Sequence, residues 1–247
     1  MRTEYRGSTV YDNEEFFKKY IDRRYRNDSP NILIEKPVLF ELLEDVYDYD
    51  ILDLGCGDAS LGIDLLKNGA KSYLGIEGSK KMVQNAILNL ENSSGKIEHS
   101  TMEEYAFPES TFDLVVSQLA IHYIEDFSKL SQNVYKTLKF GGRFIFSVQH
   151  PLLTSSFESM TKNGKRNNWI VDDYFKTGKR VEPWIGEQVV KYHRTIDEYF
   201  STLQEAGFVI NKIREPMPQK QHFTDEEEYN RRLRIPLFLL FACTKPL

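Results

Sequence analysis

The sequence predicts an α/β protein built on a doubly wound, seven-stranded and mostly parallel sheet. Three observations support this fold class. Apolar strand segments alternate with amphipathic helical segments, as in proteins whose helices cover both faces of a sheet. The first strand, D-I-L-D-L at 50–54, has the nearly continuous apolar character of a strand that is buried on both faces. A glycine turn then joins this strand to a helix.

Seven segments have the character of strands. In chain order they are 50–54, 71–77, 97–99, 112–117, 143–149, 208–214 and 235–244. The first and fourth are the clearest, and the third is short. No helix of useful length follows the seventh segment, so we expect it to close the sheet at the terminus.

Helical segments separate these strands, and their ends carry start and stop signals. The segments are 13–46 in two pieces broken around 27–31, one that ends at 68–69, 79–90, 126–139, 195–206 and a charged helix from 224. The start signals are Pro37 in a first turn, Ser79 as N-cap, and the capping boxes Thr195/Glu198 and Thr224/Glu227. Gly141-Gly142 is expected to end the helix that begins at 126.

The alternation breaks at 151–194, which is aromatic, contains glycine and has no clear periodicity. Connections this long inside a compact domain are often lids or small caps. We therefore divide a single domain, 1–247, into four parts. They are an N-terminal helical segment at 1–46, a ligand-binding core at 47–150, a cap insertion at 151–194 and the C-terminal part of the sheet at 195–247.

Composition disfavours several classes of protein. No run of 18 apolar residues exists, so no membrane helix is predicted, and the start, M-R-T-E-Y-R-G-S, lacks the apolar centre of a secretion signal. Cys56 and Cys243 offer neither a disulfide framework nor zinc-ligand spacing, which favours a cytoplasmic protein without a metal site. A net charge of −5 argues against a large nucleic-acid surface.

A nucleotide-type pocket is predicted where the first two strands end. Gly55 and Gly57 let the backbone approach a ligand closely, and the carboxylate of Glu77 can accept two hydrogen bonds from a ribose diol. The glycines alone would also suit an ordinary strand-to-helix turn. A dinucleotide fingerprint needs glycine at position 60, where the chain has Ser60, so an oxidoreductase is disfavoured.

Three stretches resemble class I S-adenosylmethionine-dependent methyltransferases, particularly the small-molecule branch that includes quinone and sterol methyltransferases. They are L-D-L-G-C-G at 52–57, F-P-E-S-T-F-D-L-V at 107–115 and L-K-F-G-G-R-F at 138–144. The resemblance implies a Rossmann-like methyltransferase fold whose last strand lies antiparallel between the fifth and sixth. It also implies S-adenosyl-L-methionine as cofactor and S-adenosyl-L-homocysteine as product.

The resemblance further implies a set of cofactor-binding residues. They are Tyr20 over the cofactor; Asp53, Gly55, Cys56 and Gly57 around the methionine part; Glu77 and Gly78 at the ribose; Met82, Thr101 and Met102 at the adenine; and Ser117 and Gln118 beneath the sulfonium. Thr101 stands where the family usually has Asp. Tyr20 and Met82 would also fit core positions, and Ser117 with Gln118 would fit an ordinary strand end.

Histidines are the candidate catalytic residues. Methyl transfer from a sulfonium is an in-line displacement, which needs a base only if the acceptor must lose a proton. Histidine suits that role because its pKa lies near neutrality. His122, His150 and His193 stand where similar chains often show H-Y, H-P and H-R-T. For each of them a hydrogen-bonded structural histidine is the alternative.

The acceptor is expected to be a small molecule. The aromatic residues of the insertion would suit a planar or apolar ligand, and would equally suit the core of the cap itself. They are Trp169, Tyr174, Phe175, Trp184 and Tyr192. The chain lacks the N/D-P-P-Y/F tetrapeptide of enzymes that methylate amino groups of bases or glutamine. The alternatives are a methyltransferase that acts on RNA or protein, and a non-catalytic S-adenosylmethionine-binding module.

Overall fold

The computed structural model describes residues 4–26, 28–157 and 168–247. In chain order the elements are β1 (Glu4–Arg6), α1 (Glu14–Arg24), α2 (Lys36–Leu43), β2 (Asp50–Leu54), α3 (Ser60–Lys67), β3 (Ser72–Glu77), α4 (Lys80–Leu90), β4 (Lys96–His99), β5 (Phe112–Gln118), α5 (Phe127–Thr137), β6 (Leu138–Gln149), α6 (Pro151–Thr154), β7 (Gly178–Trp184), β8 (Glu187–His193), α7 (Ile196–Glu205), β9 (Val209–Arg214), α8 (Glu226–Arg232) and β10 (Phe238–Thr244). Within these residues no helix has the length and apolar character of a membrane span.

The main sheet has seven strands in the order β4-β3-β2-β5-β6-β10-β9. Strands β2 to β6 pair in parallel, whereas β10 lies antiparallel between β6 and β9. This order confirms the predicted fold class, including the position of the last strand. Because the carboxyl ends of β2, β3 and β5 meet at one edge, the loops that follow them lie together.

Helices cover both faces of this sheet, and alternate residues of each strand pack against opposite layers. On one face Leu52 and Val115 pack with α5 and α7. On the other face Ile51 and Leu114 pack with α2, α3 and α4. The nearly continuous apolar character of the strands therefore follows from burial on both faces.

The N-terminal helical segment contains a π-helical turn at Asn31–Glu35, directly before α2. Pro37 lies in the first turn of α2, as predicted. Because Pro37 has no N–H, it cannot bond the carbonyl of Leu33 four residues earlier. The ring of His222 bonds this carbonyl instead, with 3.2 Å between its Nδ1 and the oxygen. The predicted break includes position 27, which lies outside the described residues.

A second, three-stranded sheet joins the N-terminus to the insertion, and no sequence pattern predicted it. Strands β7 and β8 form an antiparallel hairpin, and β1 pairs in parallel with β8. Trp184, at the end of β7, packs edge-on against Tyr11, Phe16 and Tyr20. The described part of the insertion therefore folds against the N-terminal segment, while 158–167 lie outside the described residues.

Three predicted boundaries were wrong. Helix α5 ends at Thr137, and Leu138 already belongs to β6, where it pairs with Phe112 of β5. The register between the two strands then shifts, so that Leu114 pairs with Arg143. The glycines at 141 and 142 therefore belong to an irregular stretch of β6, where Gly141 has a φ of +75°, rather than to a helix end. Helix α8 is capped by Asp225 instead of Thr224, and β10 begins at Phe238 instead of Ile235.

Candidate active site

A cleft of about 790 Å³ lies at the carboxyl ends of the parallel strands. The loops after β2, β3 and β5 supply one side of it. The other side comes from the turn at Gly7–Asp12, from α1 and from the β7–β8 hairpin. The cleft therefore lies between the main sheet and the N-terminal segment with its paired hairpin.

The glycine turn after β2 has the conformation that the sequence predicts. Gly55 and Gly57 have φ values of +73° and +59°, a region in which other residues are strained. The N–H groups of Gly55 and Cys56 donate to the carbonyl of Ile76 at 2.9 and 3.1 Å. A Cβ at Gly55 would lie 2.5 Å from the Cβ of Ala120, whereas a Cβ at Gly57 would meet nothing within 4 Å. Gly57 therefore borders open space in the cleft.

Glu77 connects this turn to the end of β3. Its carboxylate accepts hydrogen bonds from the N–H of Gly57 at 3.0 Å and from the N–H of Ser79 at 2.8 Å. The side chain is buried, lines the cleft, and has its pKa raised by burial against the opposing effect of these N–H donors. The predicted ribose-binding carboxylate thus faces the cleft.

Asp53 is a second buried carboxyl group beside the turn. Its Oδ2 accepts a hydrogen bond of 2.8 Å from the hydroxyl of Tyr73, and Oδ1 has no partner among the described residues. Burial raises the pKa of Asp53 to about 7, with a smaller contribution from the charge of Glu77. A Cβ at Gly62 would lie 2.3 Å from the ring of Tyr73, so glycine at this position leaves room for the tyrosine that orients Asp53.

The predicted adenine-side residues Met82, Thr101 and Met102 also line the cleft, together with Gly78. The hydroxyl of Thr101 accepts a hydrogen bond of 3.3 Å from the N–H of Glu104, so it partly caps its own turn. These four residues are brought together with the glycine turn, as the sequence predicts. At position 101 the cleft therefore has the hydroxyl of Thr101, where the family that the sequence resembles usually has the carboxylate of Asp.

The N-terminal segment covers this part of the cleft, which no local sequence signal indicates. Asp12 accepts hydrogen bonds from the hydroxyl of Ser79 at 2.8 Å and from the N–H of Lys81 at 3.1 Å. A Cβ at Gly78 would lie 2.3 Å from the hydroxyl oxygen of Ser8. The first turn of α4 is therefore held by a residue almost 70 positions earlier in the chain.

Tyr20 and Gln118 lie in the cleft as predicted. The hydroxyl of Tyr20 accepts a hydrogen bond of 3.1 Å from Arg24. The amide nitrogen of Gln118 donates to the carboxylate of Glu35 at 2.6 Å. Glu35 is fully buried, and burial raises its pKa. The π-helical turn thus holds the side chain that ends β5.

Ser117 is not brought to the cleft. Its side chain is fully buried, and its hydroxyl donates to the carbonyl of Leu54 at 2.7 Å. It does not line the cleft. The prediction that Ser117 lies beneath the sulfonium therefore placed it on the wrong side of the strand, because successive residues of β5 point to opposite faces.

His150 and His193 are also outside the cleft. His150 caps α6, with Nδ1 accepting from the N–H of Leu152, and its Nε2 bonds Glu215 at 2.7 Å. His193 bonds the hydroxyl of Thr154 through Nδ1 at 2.7 Å and the carbonyl of Tyr174 through Nε2 at 2.9 Å. Both rings are fully buried with both nitrogens occupied, so both are hydrogen-bonded structural histidines.

His122 is the predicted histidine that lines the cleft. It follows β5 in a 3₁₀ turn, after Leu119 reverses the chain with a φ of +54°. The ring is buried, and Nδ1 is enclosed without a partner among the described residues. Burial, with the charges of Lys191 and Arg194, lowers its pKa well below 6.5. His122 is therefore a neutral imidazole at pH 7.

Polar residues of the hairpin lie beside His122, and no sequence motif identified them. The buried ammonium of Lys191 donates to Glu182 at 2.8 Å and to Gln149 at 2.9 Å. It also lies 5.3 Å from the ring centre of Trp184 and 6.0 Å from that of Tyr123. Two residues that belong to β7 and β8 thus add a buried ion pair to the cleft.

Comparisons with known proteins identify the family. The family described as Methyltransferase domain matches residues 52–146. An S-adenosylmethionine-dependent methyltransferase structure from Mesorhizobium loti is 32% identical, covers 85% of this chain and 97% of its own, and has a TM-score of 0.78. A Listeria monocytogenes structure, provisionally assigned to the same class, is 35% identical and covers 86% and 98% with a TM-score of 0.76.

A Haemophilus influenzae protein of uncharacterized function is 34% identical over 244 residues, which are 95% of this chain and 96% of that protein. Shorter stretches match phosphoethanolamine N-methyltransferase 1 of Triticum aestivum (30% identical, 62% of this chain, 31% of that protein) and ribosomal protein L11 methyltransferase of Thermosipho melanesiensis (27%, 49% and 46%).

The fold and the cleft, taken with these matches, define a class I methyltransferase. The chain belongs to the S-adenosylmethionine-dependent methyltransferases, and S-adenosylmethionine is its cofactor. The names of the partial matches include a small-molecule and a protein acceptor, so the family alone leaves the acceptor open.

Proposed function

We propose that this protein transfers the methyl group of S-adenosylmethionine to a small-molecule acceptor held in the cleft. The observation that carries the proposal is the lining beside His122. Aromatic rings and a buried ion pair, Lys191–Glu182, face one cleft between the sheet and the hairpin. Partly apolar walls with a few oriented polar groups are typical of sites for small molecules.

Two features of the cleft fit the cofactor. The buried Oδ1 of Asp53 has no partner among the described residues, and the space beside Gly57 would be reduced by any side chain there. Glu77 would hold the ribose hydroxyls, and Asp53 with the glycine turn would hold the methionine end. Met82, Thr101 and Met102 would border the adenine, while Tyr20 and Gln118 would lie nearer the sulfur.

The chemistry needs a dry, oriented site more than a reactive side chain. The bound cofactor supplies an electrophilic methyl group on a positively charged sulfur. His122 would accept the proton of the acceptor's hydroxyl, amine or thiol at Nε2, because Nδ1 is enclosed. Lys191 and Glu182 would orient the acceptor, and the N-terminal segment would exclude water.

The state of Asp53 makes cofactor binding depend on pH. With a pKa of about 7, the carboxyl group is mostly neutral below neutrality and ionised above it. A cationic ligand favours the ionised form, so affinity for S-adenosylmethionine should fall by about tenfold between about pH 8 and about pH 6. Calorimetric titrations at the two pH values measure this change. We expect Asp53→Asn to bind S-adenosylmethionine more weakly and to lose most of the pH dependence. If the affinity of this variant changes with pH as much as that of the wild type, another group causes the dependence.

The alternatives differ in where the methyl group goes. A protein acceptor is consistent with the partial match to a ribosomal protein L11 methyltransferase. A non-catalytic module would bind the cofactor and transfer nothing. The turn at Gly7–Asp12 and the hairpin form one side of the cleft, and this wall argues against an extended peptide or an RNA as the acceptor.

Transfer of a radioactive methyl group distinguishes these possibilities. Purified protein is incubated with labelled S-adenosylmethionine and an extract of the organism that produces it, and the label is then measured in small-molecule, RNA and protein fractions. We expect the label in the small-molecule fraction, and background label with Glu77→Gln. Label in the RNA or protein fraction would contradict the proposal. Cofactor binding with no label in any fraction would support the non-catalytic module.

We also propose that the protein acts in the cytoplasm. Cys56 and Cys243 are both free and buried, as suits a reducing compartment. Cell fractionation with antibody detection tests this location, and recovery in the membrane or secreted fraction would contradict it.

A further inference from the structure

Among the described residues, six arginines line the cleft; one is Arg6 of β1, and the other five come from two distant parts of the chain. These five are Arg23, Arg24, Arg26, Arg231 and Arg232, which we call the arginine wall. The first three lie at or just after the end of α1, and the last two end α8. This concentration of positive charge is unexpected in a chain whose net charge is −5. Acidic residues such as Glu77 and Glu182 line other parts of the cleft, but the arginine wall itself carries charge of one sign and so attracts ligands of the opposite sign.

Four members of the arginine wall already have partners, and Arg232 shares its partner with Arg231. Arg24 donates to the hydroxyls of Tyr20 and Ser60 at 3.1 and 3.4 Å. Arg26 pairs with Asp28 at 3.3 Å. Arg231 pairs with Glu228 at 2.5 Å. Arg23 and Arg232 are therefore the members whose guanidinium groups have N–H donors available for a ligand.

Arg232 approaches the same carboxylate oxygen of Glu228 through its Nε, at 2.7 Å, so one acid serves two arginines. No hydrogen bond joins its terminal nitrogens to another described residue. Arg23 has neither an ion pair nor a hydrogen bond within the described ranges. Neither Asp28 nor Glu228 lines the cleft. Because one acid serves two arginines and Arg23 has no ion pair within the described ranges, the positive charge of the wall is incompletely neutralised.

The crowding of these charges is costly in the free protein. Burial lowers the pKa of Arg23, and the charge of Arg26 lowers it further. Burial also lowers the pKa of Arg232, and the charges of Arg231 and Arg23 lower it further against the opposing effect of Glu228. Like charges held together in a partly buried site are relieved by a bound anion.

We infer that the arginine wall binds an anionic group of the methyl acceptor, a phosphate or a carboxylate, through Arg23 and Arg232. The guanidinium group has a planar pair of donors that matches both anions. This inference rests on the proposed function: if the cleft accepts a small molecule, the arginine wall specifies an anionic one. The carboxylate of the cofactor is the competing anion. Arg24 is the candidate for holding it, because Arg24 contacts Ser60 at the start of α3, just after the glycine turn.

Anion binding to the cofactor-loaded protein tests the inference. Inorganic phosphate and malonate are titrated by calorimetry into protein saturated with S-adenosylhomocysteine, at constant ionic strength. We expect both probes, or one of them, to bind, and Arg23→Gln/Arg232→Gln to weaken this binding by about 10- to 100-fold, as for loss of hydrogen bonds to a charged group. Arg214→Gln is the matched control, because Arg214 is a partly exposed arginine that pairs with Glu41 away from the cleft.

Other results would overturn the inference. One is that neither probe binds, and another is that the double variant binds them as well as the control does. A third is that the double variant loses affinity for S-adenosylhomocysteine but keeps it for 5′-methylthioadenosine, which lacks the carboxylate; the wall would then hold the donor. A fourth is that an RNA oligonucleotide displaces phosphate with a steep salt dependence. Failure of the proposed function is a separate result, namely no label in the small-molecule fraction despite cofactor binding.

Discussion

Replacing Glu77 by glutamine is expected to weaken S-adenosylmethionine binding by about 100-fold or more. The carboxylate accepts hydrogen bonds from the N–H groups of Gly57 and Ser79, and we propose that it also accepts from the ribose. A glutamine has a single acceptor oxygen, so its NH₂ group would face one of the two N–H donors. Each hydrogen bond to a charged group is worth about 1.5–3 kcal/mol, and loss of the two proposed bonds from the ribose hydroxyls to the misoriented side chain corresponds to this change in affinity.

Calorimetric titration with S-adenosylmethionine and S-adenosylhomocysteine measures this effect. Glu98→Gln is the matched control, because Glu98 is exposed on the neighbouring strand β4. Circular dichroism shows whether each variant is folded, and Glu77→Ala gives a second measurement without the misplaced NH₂ group. Undiminished affinity in folded Glu77→Gln and Glu77→Ala would refute the assignment of Glu77 to the cofactor.

Replacing His122 by asparagine is expected to slow methyl transfer by about 100- to 10,000-fold while leaving cofactor affinity nearly unchanged. This range is the usual contribution of a general base. In the free protein the pKa of His122 is well below 6.5, so the ring is neutral and able to accept a proton at pH 7. Acidification protonates the base, so at saturating S-adenosylmethionine the wild-type rate should be flat above about pH 7 and should fall only on the acid side.

The rate is measured as label entering the small-molecule fraction, across this pH range. His222→Asn is the control, since His222 bonds the carbonyl of Leu33 outside the cleft. If His122→Asn transfers label at the wild-type rate, or if the wild-type rate rises on acidification, His122 is not the base. A fall in cofactor affinity equal to the fall in rate would instead indicate that His122 supports the donor site.

Elements with local signals were predictable. Strand β2 occupies the predicted residues, 50–54, because an apolar run that is flanked by polar residues and followed by a glycine turn strongly favours a buried strand. Ser79 and Thr195 cap their helices as predicted, with side chains that accept from Met82 and Glu198. Capping is an interaction over three residues, so the sequence contains all that it requires.

Elements that depend on distant partners were not predictable. The strand β1 exists because three residues pair with β8, which is more than 180 positions later. The start of β6 was assigned to a helix because the amphipathic pattern continues through Leu138, whereas pairing with Phe112 decides its conformation. Tertiary contacts of this kind override local preference.

The same division applies to the site. The sequence by itself determined the glycine turn and the acid that ends β3, because parallel strands bring their carboxyl ends to one edge. The methyltransferase class followed from the resemblance of the stretches at 52–57, 107–115 and 138–144 to that family. Only the tertiary structure decided which histidine faces the cleft, and that Ser117 does not. It also decided that Lys191, Glu182 and the arginine wall do. The physical reason is that these residues are placed by the packing of segments far apart in sequence, and no spacing along the chain records that packing.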